Sequence, residues 1–255
     1  MTFMSAEVDG SMNDRYAFES DFEALDAADK LWAEDNSGAF ALQHSTLYGG
    51  FHKLDALVQS KEFADLPEDM QDFLNKARTP HYEFINNALL WPPGTKLDEG
   101  NTYMSFVAFL LNPQSEGSVT LRSANAADNP VIKLNYLTHP YDRLAFRHAI
   151  RATWTKLMEN PKIKPLVRKT ILGPKSMSDE DVDAFAKETA STVWHANGTV
   201  RMGECTDSAG RVRGVGGLRV ADLSVCPVTT NNHTQSTAYV VGAVIGGKVV
   251  GEYGL

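Results

Sequence analysis

The chain has 255 residues, of which 43% are hydrophobic and 22% charged, and its formal net charge is −8. This composition is typical of a globular protein with one large domain or two smaller ones. The acidic balance argues against a nucleic-acid surface, which needs an excess of Lys and Arg. No stretch approaches the roughly 20 apolar residues of a membrane-spanning helix.

Cysteine usage and the first residues predict the compartment. Cys205 and Cys226 are the two cysteines, and they form neither a disulfide framework nor a zinc-ligand pattern. The segment "MTFMSAEVDGSMNDRY" lacks the charged-then-apolar layout of a signal peptide. We therefore expect a reduced, cytoplasmic protein.

The first hundred residues predict helices separated by loops. Apolar residues at helical spacing indicate a surface helix in 14–35. Residues 36–54 are rich in Gly and Ser, which predicts a loop with short extended pieces. Acidic residues at the front of 66–78 and basic residues at its back predict a second helix, because they complement the helix dipole.

The middle of the chain predicts strands and then helices. "YMSFVAFLLNP" is a β-rich apolar run, and apolar residues alternate in "GSVTLRSA" and "VIKLNYL". Short linkers between these runs favour antiparallel strands with one solvated face. Helical spacing predicts a helix in 139–161, and a Ser/Asp cap followed by acids predicts another in 176–190.

The last 65 residues predict a strand and a helix. "GLRVADLSVCP" reads as a strand that ends at Pro227, and residues 234–254 read as a helix that is apolar on most sides. Glycines are costly inside helices, so they fit best where another backbone lies very close. The glycines concerned are Gly242, Gly246, Gly247 and Gly251. We expect an α+β fold, an antiparallel sheet backed by helices, followed by this strand and helix, whose large partner is not evident in the chain.

Two of the seven histidines stand out by their surroundings. His195 and His233 lie among small or polar residues at the mouth of an element, whereas His81, His139 and His148 fit structural roles. His233 directly precedes a predicted helix start, where free N–H groups and the dipole favour negative charge. An imidazole with a near-neutral pKa can take a proton from an alcohol, so the two form a candidate acid–base pair.

Other uses of these residue types are less well supported. Neither His195 nor His233 has a second His, Cys or carboxylate at ligand spacing on its own element, so we predict no metal site. Cys205 lies in no signature of a nucleophilic cysteine.

Three stretches together resemble the C-terminal half of the glucose–methanol–choline (GMC) oxidoreductases. "NPQSEGSVTLRSANAADNPVIKLNYLTHPYD" resembles the middle segment of that family, and "WHANGTVRMG" resembles its active-site H-x-x-G-T-x-x-M-G. "GLRVADLSVCPVTTNNHTQSTAYVVGAVIGGKV" resembles its closing strand, His-or-Asn position and helix. The likeness spans most of residues 30–255, although Val200 stands where many relatives have Cys.

The resemblance implies a role for each matching residue. It makes His195 the base that removes the hydroxyl proton as hydride leaves for flavin, and His233 the second residue that holds the substrate oxygen. It places Asp222 near the cofactor. It places Thr234, Gln235 and Ser236 at the helix start that approaches the flavin.

The same resemblance implies a missing half. GMC enzymes bind FAD mainly through an N-terminal strand–GxGxxG–helix unit, which this sequence lacks. "GVGGLRV" is no substitute, because its glycines precede a strand instead of joining a strand to a helix. We therefore expect a GMC-like substrate-binding domain in 1–190 and a piece derived from the FAD domain in 191–255. The resemblance implies FAD as the cofactor if a Rossmann half is supplied; the alternative for this chain alone is no cofactor.

Three functions remain open from the sequence. The first is one half of a split or truncated flavoenzyme that oxidises alcohols together with a separate FAD-binding chain. The second is a flavin-independent dehydratase, isomerase or cyclase that reuses His195 and His233. The third is a non-catalytic module that binds a ligand or a partner.

The kind of substrate and the assembly state are predicted from aromatic pocket residues and from exposed apolar surface, respectively. Aromatic and polar residues expected near the pocket favour an apolar or aromatic alcohol larger than methanol; they are Trp91, Phe106, Trp194 and Asn197. Apolar surface left by a missing half should drive association, so we predict a homodimer or a hetero-complex. We expect no contact with nucleic acid or membrane.

Overall fold

The computed structural model describes residues 1–9, 22–38, 48–87, 102–231 and 233–255. The strands are β1 (Thr2–Val8), β2 (Tyr48–His52), β3 (Tyr82–Asn87), β4 (Thr102–Leu110), β5 (Ser118–Thr120), β6 (Val131–Lys133) and β7 (Val167–Leu172). The helices are α1 (Phe22–Asp35), α2 (Asp55–Val58), α3 (Lys61–Ala64), α4 (Glu68–Asn75), α5 (Pro140–Met158), α6 (Asp179–Thr189) and α7 (Gln235–Tyr253). Within the described ranges, 3-10 turns cover Lys164–Leu166 and Leu223–Val225.

The chain forms two compact units. The first unit comprises residues 1–110 and 143–191, and the second unit comprises residues 111–142 and 192–255. The expected division into 1–190 and 191–255 concerns the ancestry of the two parts, and it stays a prediction. None of the described helices is both long and apolar enough to cross a lipid bilayer.

A five-stranded antiparallel sheet forms the first unit, in the order β2-β3-β4-β1-β7. The predicted α+β fold with an antiparallel sheet is thereby confirmed. β4, predicted from its apolar run, lies between β3 and β1 and pairs Phe84 with Ala108 and Met4 with Phe106.

Strand β1 lies inside this sheet although the sequence analysis assigned no strand there. Its residues are buried on both faces except Glu7, so the apolar/polar alternation that marks a half-exposed strand is absent. The polar members find partners inside the fold. Ser5 Oγ hydrogen-bonds Ser105 Oγ at 2.9 Å, and Thr2 Oγ1 lies 2.5 Å from Thr189 Oγ1 of α6.

Two helices back this sheet at the predicted places. α5 buries Phe146, Ala149 and Ile150, and α6 lies against β1. Ser178 caps α6 by accepting a hydrogen bond from the N–H of Asp181, as the Ser/Asp pattern predicted. The helix predicted in 66–78 appears as the shorter α4. The helix predicted in 14–35 appears as α1 in the described residues, and residues 14–21 lie outside the described part of the chain.

The second unit begins with a short hairpin. β5 and β6 pair antiparallel with Val119 opposite Ile132, as the alternation predicted. Both of these side chains are exposed, together with Leu121 and Leu134. As far as the described residues show, the apolar face of this two-stranded ribbon is exposed to solvent as well as its polar face.

The segment 217–227 differs from its prediction. It contains a single bridge, between Arg211 and Arg219, and the 3-10 turn Leu223–Val225 in place of a strand. Asp222 explains the turn, because its carboxylate accepts the N–H of Ser224 at 2.8 Å and so bends the chain.

Helix α7 follows the prediction for residues 234–254. It ends at Gly254, whose φ of 68° is the left-handed conformation that closes helices. Ile245 is its one buried residue among those described. Tyr239, by contrast, is 72% exposed.

Candidate active site

The motif "WHANGTVRMG" is held against residues 223–226 within the second unit. The N–H groups of Gly198, Val200 and Met202 donate to the carbonyl oxygens of residues 223, 224 and 225 at 3.3, 2.9 and 2.9 Å. Gly198 has a φ of 75°, and a Cβ there would lie 3.3 Å from the carbonyl oxygen of Cys226. The positive φ and this close approach explain why a glycine directly follows Ala196 and Asn197 in the motif.

Asn197 fixes the main chain at His195. Its Nδ2 donates to the carbonyl oxygen of His195 at 2.9 Å and to Thr229 Oγ1 at 3.2 Å. The amide thus ties the residue predicted as base to the segment that leads to His233. Asn197 was predicted from the sequence to line the substrate pocket. Its side chain has this internal role in the structure, and contact with substrate stays a prediction.

The two histidines singled out by sequence come together. The imidazole rings of His195 and His233 lie 5.6 Å apart, centroid to centroid, and meet edge to face at 87°. His195 is half-buried and His233 is exposed. Partial burial, and then the neighbouring His233, lower the pKa of His195 below its ordinary value. At neutral pH His195 is therefore mostly the neutral imidazole, which is the form that accepts a proton.

The start of helix α7 lies next to this pair. Thr234 is buried and its side chain makes no capping hydrogen bond, whereas Ser60 and Ser178 cap α3 and α6. Gln235 and Ser236 are exposed in the first turn. Amide groups of a first helical turn have no acceptor within the helix and attract electron-rich atoms.

A shallow groove runs along the first half of α7. Its volume is about 470 Å³, and its lining consists of Gln235, Ala238, Tyr239, Gly242 and Ala243. A Cβ built on Gly242 meets nothing within 4 Å among the described residues. The small residues therefore leave room for a flat or close-packed neighbour.

Asp222 has an engaged carboxylate. Its Oδ1 accepts hydrogen bonds from the N–H and the Oγ of Ser224 at 2.8 and 2.5 Å. This shapes the 3-10 turn that lies beside the active-site motif. A role of Asp222 towards a cofactor stays a prediction.

Trp194 has an unusual backbone at the site. Its φ of 58° lies in the left-handed region, which costs a bulky residue about 1–3 kcal/mol. The N–H of Trp194 donates to Thr192 Oγ1 at 2.8 Å, which stabilises the bend. The indole is 74% exposed. Of the other predicted pocket residues, Phe106 is buried in β4 and Trp91 lies outside the described residues.

Two supporting groups were not recognised from the sequence. The buried carboxylate of Asp142 accepts the N–H groups of Gln114 and Ser115, both at 2.7 Å, and so fixes the base of the hairpin. Glu252 near the end of α7 bridges Arg211 and Arg219. The signal for Asp142 was its position in the first turn of a predicted helix, but partners so distant in sequence are not visible in a local pattern.

Metal and thiol chemistry find little support here. Among the described residues, no group of three His, Cys, Asp or Glu side chains is placed to hold a metal ion. Cys205 is exposed and Cys226 is buried. Burial, and then Asp222, raise the pKa of the Cys226 thiol, which makes the thiolate less accessible.

Comparison with known proteins decides the family. A family model described as GMC oxidoreductase matches residues 113–242, slightly more than half of the 255 residues. The chain belongs to the GMC oxidoreductase family. The match includes both histidines, so the resemblance drawn from the sequence is confirmed.

Curated GMC relatives extend well beyond this chain. An oxygen-dependent choline dehydrogenase of Brucella anthropi is 37% identical over 155 residues, which is 56% of this chain and 27% of that protein. One of Sinorhizobium medicae is 32% identical over 184 residues, which is 67% of this chain and 32% of that protein. The chain thus spans about a third or less of these relatives.

Solved GMC-type structures share the fold. A formate oxidase of Aspergillus oryzae superposes with a TM-score of 0.83 at 22% identity, over 98% of this chain and 46% of that one. An FAD-dependent oxidoreductase of Chaetomium thermophilum gives 0.74 at 18% identity, over 100% and 48%. At these identities the likeness shows the fold alone.

Proposed function

We propose that this GMC chain supplies the acid–base site of an alcohol-oxidising flavoenzyme and works with an FAD-binding half outside it. The observation that carries the proposal is the edge-to-face contact of His195 and His233, 5.6 Å apart. Both lie in the segment matched by the family model.

His195 acts as the base. Its lowered pKa keeps the imidazole neutral near pH 7, so a ring nitrogen can accept the hydroxyl proton of the substrate. Asn197 holds the main-chain oxygen of His195 and so keeps the ring from drifting. Positioning of this kind matters, because proton transfer needs hydrogen-bond distance between base and substrate.

His233 orients the substrate oxygen. Its exposed imidazole lies 5.6 Å from that of His195, centroid to centroid, and can hydrogen-bond the same hydroxyl oxygen whose proton His195 accepts. His233 also lowers the pKa of His195, because two positive charges so close together repel each other.

The residues at the start of α7 fit a flavin. Thr234 leaves the first turn without a side-chain cap, and the adjoining groove is lined by small residues with Tyr239 at its side. Thr234, Gln235 and Ser236 would hold the ring system, with Asp222 nearby on the preceding turn. When bound, FAD supplies the acceptor for the hydride that leaves the carbinol carbon. The helix N-terminus favours the negative charge that then develops.

Complementation tests the proposal. The chain is mixed with a separately expressed GMC FAD-binding half, and oxidation of a panel of primary alcohols is followed by flavin bleaching and by product formation. We expect activity in the mixture only. His195→Ala should lower kcat by about 100-fold or more.

Controls separate catalysis from folding. His148→Ala changes another half-buried histidine, on α5, and should leave the rate within about twofold. His233→Ala should raise the pKa of His195, because it removes one of the two causes that lower it, and so shift the acid limb of the pH–rate profile to higher pH. No activity in a mixture that binds FAD, or turnover by the chain without flavin, would overturn the proposal.

A further inference from the structure

The segment 227–231, which leads to His233, is held by side chains. The neighbouring stretch 198–202 makes three backbone hydrogen bonds to residues 223–225, whereas 227–231 makes no backbone–backbone hydrogen bond among the described residues. It also lies outside the described helices and strands. A segment without backbone pairing has little rigidity of its own, so the position of His233 depends on the contacts that these side chains make.

Thr229 links this segment to the loop that carries His195. Its Oγ1 lies 3.2 Å from Nδ2 and 3.4 Å from Oδ1 of Asn197. A hydroxyl group both donates and accepts, so Thr229 can take either part in this contact. The same Nδ2 donates to the carbonyl oxygen of His195 at 2.9 Å. The Asn197 side chain therefore connects Thr229 with the main chain of the base.

Thr230 links the same segment to helix α7. Its Oγ1 lies 3.3 Å from Oγ1 of Thr237, which is in the first turn of α7. Both threonines are half-buried, which reduces competition from water for their hydrogen bond. His233 lies between Thr230 and Thr237 in the chain. The contact therefore closes a short loop that contains His233.

These two links bear on the geometry of the acid–base pair. The imidazole rings of His195 and His233 meet edge to face with their centroids 5.6 Å apart. Burial, and then His233, lower the pKa of His195. A change in the distance between the rings changes the repulsion that His195 feels on protonation. A displacement of about 1 Å at a reacting group can also lower a rate about 100-fold.

We propose that Thr229 and Thr230 are positioning residues of the acid–base pair. Their hydroxyl groups fasten the segment before His233 to the Asn197 side chain and to helix α7, and so hold His233 against His195. The proposal rests on the proposed function for the chemistry of the pair, and it goes further by naming the residues that set the geometry of the pair.

Titration of the 255-residue chain without flavin tests the proposal. The ring signals of His195 are followed by NMR from about pH 4.5 to 8.5, and ring–ring nuclear Overhauser effects report the contact with His233. Thr229→Val keeps the approximate size of the side chain and removes its hydroxyl group. We expect the pKa of His195 to rise by about 0.3 to 1 and the ring–ring effects to weaken, because His233 moves away.

Three further variants separate the hydroxyl groups from other effects. Thr229→Ser retains the hydroxyl group and should leave the pKa of His195 within about 0.2 of its native value. Thr230→Val removes the link to Thr237 and should raise the pKa of His195, as Thr229→Val does. Thr120→Val alters an exposed threonine of β5 in the same unit and should change nothing.

A double-mutant cycle tests whether Thr229 acts through Asn197. Asn197→Ala alone should raise the pKa of His195 at least as much as Thr229→Val does, because it removes both of the hydrogen bonds at this amide. In the Asn197→Ala background, Thr229→Val should add nothing further, since the shared contact is already lost. Additive shifts would contradict the link between the two residues.

The same titrations can overturn the proposal. It fails if either Thr229→Val or Thr230→Val leaves the pKa of His195 unchanged, or if Thr229→Ser changes it as much as Thr229→Val. Thermal melts verify that each variant folds. Where Thr229→Val does not fold, Thr229→Ala takes its place, and the same outcomes decide.

Failure of this inference and failure of the proposed function are distinguishable. Shifts in the pKa of His195 as expected, with no oxidation in the complemented mixture, refute the function and leave the positioning residues standing. Oxidation by Thr229→Val at the native rate and with the native pH profile does the reverse. If both proposals hold, Thr229→Val lowers kcat/KM about 3- to 30-fold and moves the acid limb to higher pH, and Thr229→Ser restores both.

Discussion

Helices α5 and α7 have 19 residues each, but they differ in how much of their apolar surface is buried. α5 carries several charged residues and still buries Tyr141, Phe146 and Ile150 completely or nearly so. α7 has Lys248 and Glu252 as its two charged residues, yet it buries Ile245 alone among the described residues. The more apolar helix is thus the more exposed one. Burial depends on what a unit offers to pack against, and composition alone does not decide it.

The largest expected effect comes from a matched pair of aromatic truncations. Phe146→Ala in α5 should lower the free energy of unfolding by about 3–5 kcal/mol, because it empties a buried position. Tyr239→Ala in α7 should change it by less than about 0.5 kcal/mol, because Tyr239 is mostly exposed. Urea unfolding followed by circular dichroism measures both. Equal losses would mean that α7 is packed as α5 is.

The single anchor of α7 should give the next effect. Ile245→Ala should cost about 2–4 kcal/mol, since Ile245 is buried against the turn at Gly210. The loss should appear in probes of the second unit, such as amide exchange in α7, while β4 of the first unit keeps its protection. Val244→Ala, one position earlier and exposed, is the control. Loss of protection in β4 as well would contradict two separate units of stability.

Burial of His81 should make the stability of the first unit depend on pH. His81 is fully buried; its Nδ1 accepts the N–H of Leu54 at 3.0 Å, and its Nε2 faces the carbonyl oxygen of Leu74 at 3.2 Å. Burial is the largest cause that lowers the pKa of His81. The folded state therefore binds fewer protons than the unfolded state, and the stabilisation is present above the unfolded pKa.

That stabilisation should be lost as the pH falls below about 6.5, at up to about 1.4 kcal/mol per pH unit, until the lowered folded pKa is reached. Urea unfolding between pH 7.5 and 5 measures it, and His81→Asn should make the dependence less steep by up to about 1.4 kcal/mol per pH unit. A stability that rises on acidification over this range would refute the assignment.

The smallest expected effect has opposite signs at a glycine inside helix α7 and at a glycine in a turn. Gly242→Ala should stabilise the free chain by about 0.5–1 kcal/mol, because alanine suits a helix better and a Cβ there meets nothing within 4 Å. In Gly210→Ala the effect should be reversed, since φ is +74° and the new Cβ would lie 2.5 Å from the carbonyl oxygen of Val220.

The same alanine probes whether a partner covers α7. If the expected homodimer or hetero-complex uses the glycine-lined face, Gly242→Ala should weaken association in analytical ultracentrifugation while the melting temperature of the free chain rises. An association constant that does not change would place the interface elsewhere.

Local patterns predicted the helices well and the sheet only partly. α5, α6 and α7 follow from spacing, caps and composition, because helical contacts are close in sequence. β1 escaped because both of its faces are buried, and its pairing with β4 joins residues about 100 positions apart. The strand expected in 217–227 failed because the Asp222 carboxylate bends the chain, a competition that apolar alternation does not reveal.

The candidate site shows the same division. Motif and family likeness identified His195 and His233, and the structure brings their rings into contact. The left-handed backbone of Trp194 could not be predicted, since tryptophan has no preference for it and only the contacts at Thr192 and Asn197 impose it.

The interior position of β1 delays its pairing while the chain is synthesised on the ribosome. Both strands that pair with β1 follow it in the chain, and the paired residues are 102–108 in β4 and 167–172 in β7. Non-local pairings of this kind close late and slowly. A nascent chain must therefore keep this largely apolar strand unpaired while about a hundred further residues are added. Chaperone demand and yield should respond more to changes in β1 than to equally large changes in α7.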